Sequence, residues 1–92
     1  MRVGLLGTGF IGKLHADILC RLEGVELAAV LVRDRAKAAD IASRTGCQVF
    51  DDPDRFFMEG QFEAADICLP TYRHEEMILK ALRAGKDVLC EK

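Results

Sequence analysis

The residues of this 92-residue chain whose types and spacing could do chemistry are few. They are Gly7-Thr8-Gly9-Phe10-Ile11-Gly12, the pair Arg33-Asp34, Pro70-Thr71 with His74 beyond them, and Glu91-Lys92 at the last two positions. The glycine group follows a short apolar run and opens a helix-periodic stretch, the strand–turn–helix setting in which such a spacing holds a dinucleotide. Gly7 would make the turn, Gly9 would remove a Cβ beside a pyrophosphate, and Gly12 would let the helix pack closely. The amides opening that helix, around Phe10, Ile11 and Gly12, lack intrahelical partners, so they and the positive end of the helix dipole suit a doubly charged pyrophosphate. No Lys-Ser or Lys-Thr pair follows, which weighs against a P-loop. An accidental glycine-rich turn is the bland alternative, and the strand before it and helix after it weigh against that.

The elements that must position these residues alternate from end to end, the pattern of a parallel sheet. Strands are expected at Val3 to Leu6, Val25 to Val32, Cys47 to Phe50, Ala65 to Leu69 and Asp87 to Cys90. The first helix is expected from Gly9 to about Leu22, with Phe10, Ile11, Leu14, Ile18 and Leu22 toward the sheet. A second, capped by Asp34, carries Ala38, Ile41 and Ala42 on one face and ends at Thr45-Gly46. Asp52-Pro53 reads as the cap and first residue of a short third helix through Phe56, Phe57 and Met58. Thr71 can cap a fourth, whose stripe is Met77, Ile78, Ala81 and Leu82 up to Gly85. The expected fold is a Rossmann-type, doubly wound parallel α/β sheet of about five strands in the order 3-2-1-4-5, one dinucleotide-binding domain over residues 1–92.

Half of the residues are apolar and the formal charge is −2. Lys and Arg are scattered, which leaves no footprint for nucleic acid or an anionic membrane surface. No apolar run approaches the roughly 18 to 20 residues that span a bilayer, and the first strand is too short for a signal-peptide core, so the expected compartment is the cytoplasm. Cys20, Cys47, Cys68 and Cys90 form no CxxC pair and are expected as buried free thiols rather than metal ligands, and no metal is expected. His15 reads as a packing or hydrogen-bonding residue rather than a catalytic one.

Three motifs in order resemble the N-terminal half of the Gfo/Idh/MocA oxidoreductases, NAD(P)-dependent dehydrogenases and reductases acting largely on sugars and cyclitols. They are the glycine loop with His15-Ala16 downstream, Pro70-Thr71-Tyr72-Arg73-His74, and Ala84-Gly85-Lys86-Asp87-Val88-Leu89-Cys90-Glu91-Lys92. In that family the last motif continues to proline. The resemblance therefore implies that a substrate domain is missing here and that this chain alone is inactive. It also implies that Lys92 is the catalytic lysine beside the nicotinamide, that Glu91 neighbours the cofactor, and that Leu69, Pro70 and Thr71 line the ribose and nicotinamide side with His74 nearby. Against these stand plainer roles: Lys92 as a solvated terminal lysine, Thr71 as a cap, His74 as a surface residue.

Cofactor choice departs from the family pattern. The usual aspartate after the second strand falls on Val32, which binds no hydroxyl, while Arg33 could pair with a 2′-phosphate, so the reading tilts to NADP. A one-residue shift would bring Asp34 onto the ribose hydroxyls and restore NAD. Beyond a small-molecule substrate for a full-length parent, two further readings stay open. One is a non-catalytic binding module or structural fragment that pairs with another copy through an exposed edge at Val88-Leu89-Cys90. The other is an NAD-assisted glycosidase of the same family.

Overall fold

The computed structural model describes residues 1–90, with Phe10, Ile11 and Cys90 described by backbone alone. The chain alternates β1 (Arg2–Leu6), α1 (Phe10–Arg21), β2 (Glu26–Leu31), α2 (Ala39–Thr45), β3 (Gln48–Phe50), α3 (Pro53–Glu59), β4 (Ala64–Ile67), α4 (His74–Arg83) and β5 (Asp87–Cys90). Short 3-10 turns, Arg35–Ala38 and Thr71–Arg73, lead into α2 and α4. All strand pairs are parallel and the sheet runs β3-β2-β1-β4-β5, the expected order. Because the strand order reverses beside β1, a crevice opens between the carboxyl ends of β1 and β4, where open α/β sheets bind ligands. Among the described residues no helix is long and apolar enough to cross a membrane.

The two faces of the sheet are filled differently. One carries α3 and α4, with Leu6, Phe50, Phe56, Phe62, Ile67 and Met77 in its core. Helix α3 has only seven residues, so it covers its part of the sheet with aromatic mass rather than length. Phe56 is fully buried, and its ring centroid lies 5.0 Å from that of Phe57 and 4.6 Å from that of Phe62. Asp52 caps α3 by accepting from the Asp54 amide, and Pro53 stands at its first turn.

The other face carries α1 and α2, and here the expected stripe is corrected. Leu14, Ile18 and Leu22 are 48%, 48% and 49% exposed, whereas Gly12, Ala16 and Leu19 are buried. The small residues let the helix lie close on the sheet and rotate the larger ones outward; the side chains of Phe10 and Ile11 lie outside the described residues. Asp17, on the α2 side, accepts from Arg44 at 3.0 Å, which holds that guanidinium above its usual range. In α4, Met77 and Ala81 are buried as expected, but Leu82 is exposed. Thr71 caps nothing, because the chain makes a 3-10 turn there and α4 begins at His74 with Arg73 before it. The cysteine expectation is corrected as well: Cys20 is exposed and Cys47 and Cys68 are half-buried, while the Cys90 side chain lies outside the described residues. Cys20 stands on the solvent flank of α1, a position that helical spacing alone does not distinguish from its buried flank.

Candidate functional site

The loop between β1 and α1 is built from three glycines with three different surroundings. Gly7 has φ +98°, a conformation that a side chain rarely adopts, and a Cβ there would lie 2.8 Å from the Cys68 carbonyl oxygen. A Cβ on Gly12 would stand 2.2 Å from the Gly7 carbonyl oxygen, so the first turn of α1 rests directly on the loop. At Gly9 a Cβ would meet nothing within 4 Å among the described residues beyond its own neighbours in the chain. The protein's own packing thus requires the first and third glycines, and the space beside the second faces the cleft. Gly9 is the N-cap of α1 and has no side chain to cap it, and the first helical bond runs from the Lys13 amide to the Gly9 carbonyl. The amides of Phe10, Ile11 and Gly12 therefore lack intrahelical acceptors and present the positive end of the helix dipole to the cleft.

That cleft has a volume of 960 Å³ and lies across the carboxyl ends of β1, β2 and β4. Gly7, Thr8 and Gly9 form its floor; Val32, Arg33, Asp34 and Lys37 one wall; Cys68, Leu69, Pro70, Tyr72 and Arg73 the other. Lys13, Arg33, Lys37 and Arg73 contribute cations, against the carboxylates of Asp34 and Asp51. Both carboxylates are engaged: Asp34 accepts from the Ala36 amide at 3.0 Å and Asp51 pairs with Arg35 at 3.2 Å. The balance favours an anionic ligand. Open glycine, helix amides without intrahelical acceptors and cationic rim together fit a dinucleotide, with room for a pyrophosphate at the α1 N-terminus and an adenosine ribose at the end of β2.

The model of the oxidoreductase family with an NAD-binding Rossmann fold, GFO_IDH_MocA, matches residues 1–92. The chain belongs to this family. It is 38% identical over 91 residues to an inositol 2-dehydrogenase of Rubrobacter xylanophilus, covering 98% of this chain and 26% of that protein. It is 39% identical over 92 residues to an inositol 2-dehydrogenase of Rhizobium meliloti, covering 100% of this chain and 28% of that protein. The crystal structure of scyllo-inositol dehydrogenase from Lactobacillus casei with bound NAD(H) and scyllo-inositol superimposes with a TM-score of 0.95 at 30% identity, over 100% of this chain and 28% of that one. The chain therefore spans about a quarter of the length of the relatives it matches.

Within this Gfo/Idh/MocA chain, Gly7, Thr8, Gly9, Arg33, Asp34, Leu69 and Pro70 line one cleft, although they come from three separate stretches of sequence. Gly12 lies behind the loop as its packing partner. Thr71 and His74 are not among the lining residues; Tyr72 and Arg73 take that wall instead. The reason is the 3-10 turn, which carries Tyr72 and Arg73 past the cleft and turns His74 back along the chain. There its Nε2–H donates to the Leu69 carbonyl at 2.7 Å and fixes the loop that lines the cleft. The expectations for Glu91 and Lys92, and for the side chains of Phe10 and Ile11, lie outside the described residues.

Asp66 was not legible as anything but part of a strand, yet it is the buried charged residue of the described core, 3% exposed. His15 Nδ1 lies 2.6 Å from its Oδ2, which bears out the hydrogen-bonding reading of His15. A charge inside an otherwise apolar run was the available signal. Lys13, Lys37, Tyr72 and Arg73 were also missed as lining residues, since nothing in their spacing separates them from solvated surface.

Proposed function

We propose that this chain is the dinucleotide-binding part of an NAD(P)-dependent oxidoreductase that moves hydride between a nicotinamide and a polyol, cyclitol or sugar hydroxyl or its carbonyl. The observation that carries the reading is Gly9, whose missing side chain is required by none of the described packing and opens onto the cleft beside the α1 amides. When bound, the cofactor supplies the hydride acceptor. The chain's own residues hold its pyrophosphate on the amides of Phe10, Ile11 and Gly12, and Leu69 and Pro70 wall its far side. The inositol dehydrogenases among its relatives support a cyclitol or related polyol as substrate of a full-length parent. Lys92 is the proposed proton-transfer residue, with Glu91 beside the cofactor and Thr71 and His74 as neighbours that set the loop. Substrate-binding groups would be supplied by a further domain, so the 92 residues alone bind cofactor without turnover.

NADP is the favoured cofactor. Arg33 and Lys37 reach the cleft at the end of β2, where Val32 offers no hydroxyl acceptor and Asp34 is already used as a cap. NAD is the competing choice, supported by Asp34 at the same wall and by NAD(H) in the scyllo-inositol dehydrogenase crystal. Calorimetric titration of the purified chain with NADPH and with NADH tests both: saturable binding of either supports the dinucleotide reading, and the tighter ligand assigns the cofactor. A folded chain that binds neither overturns it.

A second reading has its own observation. Among the described residues β5 pairs with β4 on one side and with no strand on the other, and its Leu89 is 58% exposed, so this edge is open to another copy of the chain. Sedimentation over a range of concentrations distinguishes an edge-paired dimer, which Leu89→Lys should dissociate, from a monomer.

A further inference from the structure

Asp66 stands in the middle of β4, opposite Leu5 of β1 and Leu89 of β5. A buried carboxylate persists in such a place only if its lone pairs are taken. Oδ2 lies 2.6 Å from His15 Nδ1 on α1, and Oδ1 accepts from the Cys68 thiol at 3.7 Å. Since the carboxylate accepts, the proton of this bond lies on Nδ1. The spacing is that of a hydrogen bond, because two ligands of one tetrahedral zinc ion would stand about 3.3 Å apart.

The network continues to the glycine loop. The Cys68 carbonyl lies behind Gly7, and the Cys68 Cβ is 3.8 Å from where a Cβ on Gly12 would be. Among the described residues helix α1 meets the sheet through Gly12, Ala16 and Leu19, and at Gly12 and Ala16 there is little bulk for interlocking. Dispersion between such small groups is non-directional and leaves the axial setting of a helix poorly defined. A charge-assisted hydrogen bond is short and directional.

We propose that His15 and Asp66 are positioning residues for the dinucleotide: their bond sets the height and rotation of α1 on β4 and so aims the first-turn amides at the pyrophosphate. This rests on the dinucleotide reading above. The test titrates the chain with NADPH and NADH by calorimetry, and with adenosine by amide NMR shifts, for the wild type, H15N and H15Q. Asn carries an N–H where Nδ1 carries its own, whereas Gln carries it where Nε2 would be. The expected result is dinucleotide affinity within about threefold of wild type for H15N and a loss of about tenfold or more for H15Q. Adenosine, which lacks the pyrophosphate, should bind all three alike. Equal dinucleotide affinity in H15N and H15Q, or adenosine lost in step with the dinucleotide, overturns the positioning role and leaves the functional reading standing. A wild-type chain that binds neither dinucleotide overturns both.

Discussion

Gly12 stands so close over Gly7 that a single added carbon would lie 2.2 Å from the Gly7 carbonyl oxygen. In a helix, replacing glycine by alanine ordinarily stabilises by about 0.5–1 kcal/mol. Gly12→Ala should do the opposite, lowering the melting temperature and removing dinucleotide binding, because the loop must move to admit the methyl group. Gly9→Ala should leave the melting temperature nearly unchanged and weaken dinucleotide binding about tenfold or more. Melting curves and calorimetry on the two variants separate packing from ligand space, and a Gly9→Ala chain that binds normally would contradict the site.

Arg33 and Asp34 are adjacent in sequence and are expected to respond differently. Arg33→Ala should cost NADPH about tenfold in affinity, the range of one charge-assisted contact, and leave NADH unaffected. Asp34→Ala removes the cap on Ala36 and should cost about 1 kcal/mol of stability. If Asp34→Ala weakens NADH far more than NADPH, the ribose role belongs to Asp34 and NAD is the cofactor. Paired titrations, with melting temperatures measured alongside, decide it.

The short helix α3 depends on Phe56, which is fully buried against Phe50, Phe57 and Phe62. Phe56→Ala should cost about 3–5 kcal/mol, a large part of the roughly 5–15 kcal/mol of a typical domain. Urea denaturation should show the midpoint falling with little change of slope. Phe56→Leu, which keeps more of the volume, should cost less than half as much.

Arg55 grips Glu59 with two hydrogen bonds, of 2.7 and 3.1 Å, one helical turn apart. These hold the Glu59 carboxyl below its ordinary range, with the hydrogen bond to Arg55 as the largest cause. A carboxyl whose folded value is depressed contributes stability that is fully present above its unfolded value and is lost as pH falls through the folded one. Stability measured from pH 6 downward should therefore fall less steeply in Glu59→Gln than in the wild type. The difference should be small, because both groups face solvent, and it should shrink further in high salt.

The parallel sheet, its order, the caps at Asp34 and Asp52 and the glycine loop were all legible in the order of residues. Each depends on contacts only a few positions apart or on a rule of chain connection. Turn glycines, capping carboxylates and alternating apolar runs act locally, and the handedness of crossovers leaves few ways to arrange such units. The direction of α1 was misread because its apolar residues are spaced for a helix but so are its small ones. Which set faces the sheet depends on how closely the backbone approaches, and that is decided by Gly12 meeting the loop.

By itself, the sequence determined that a dinucleotide loop opens a Rossmann sheet, since Gly7 and Gly12 answer to local backbone geometry and Gly9 completes the spacing between them. Only the tertiary structure decided which side chains share the cleft and which charge is buried. Arg33, Tyr72 and Arg73 line one cleft from opposite walls, and His15 finds Asp66 from 51 positions away. Such pairings follow from how helices settle on a sheet, through packing and desolvation summed over the whole molecule, and no short stretch of residues carries that sum.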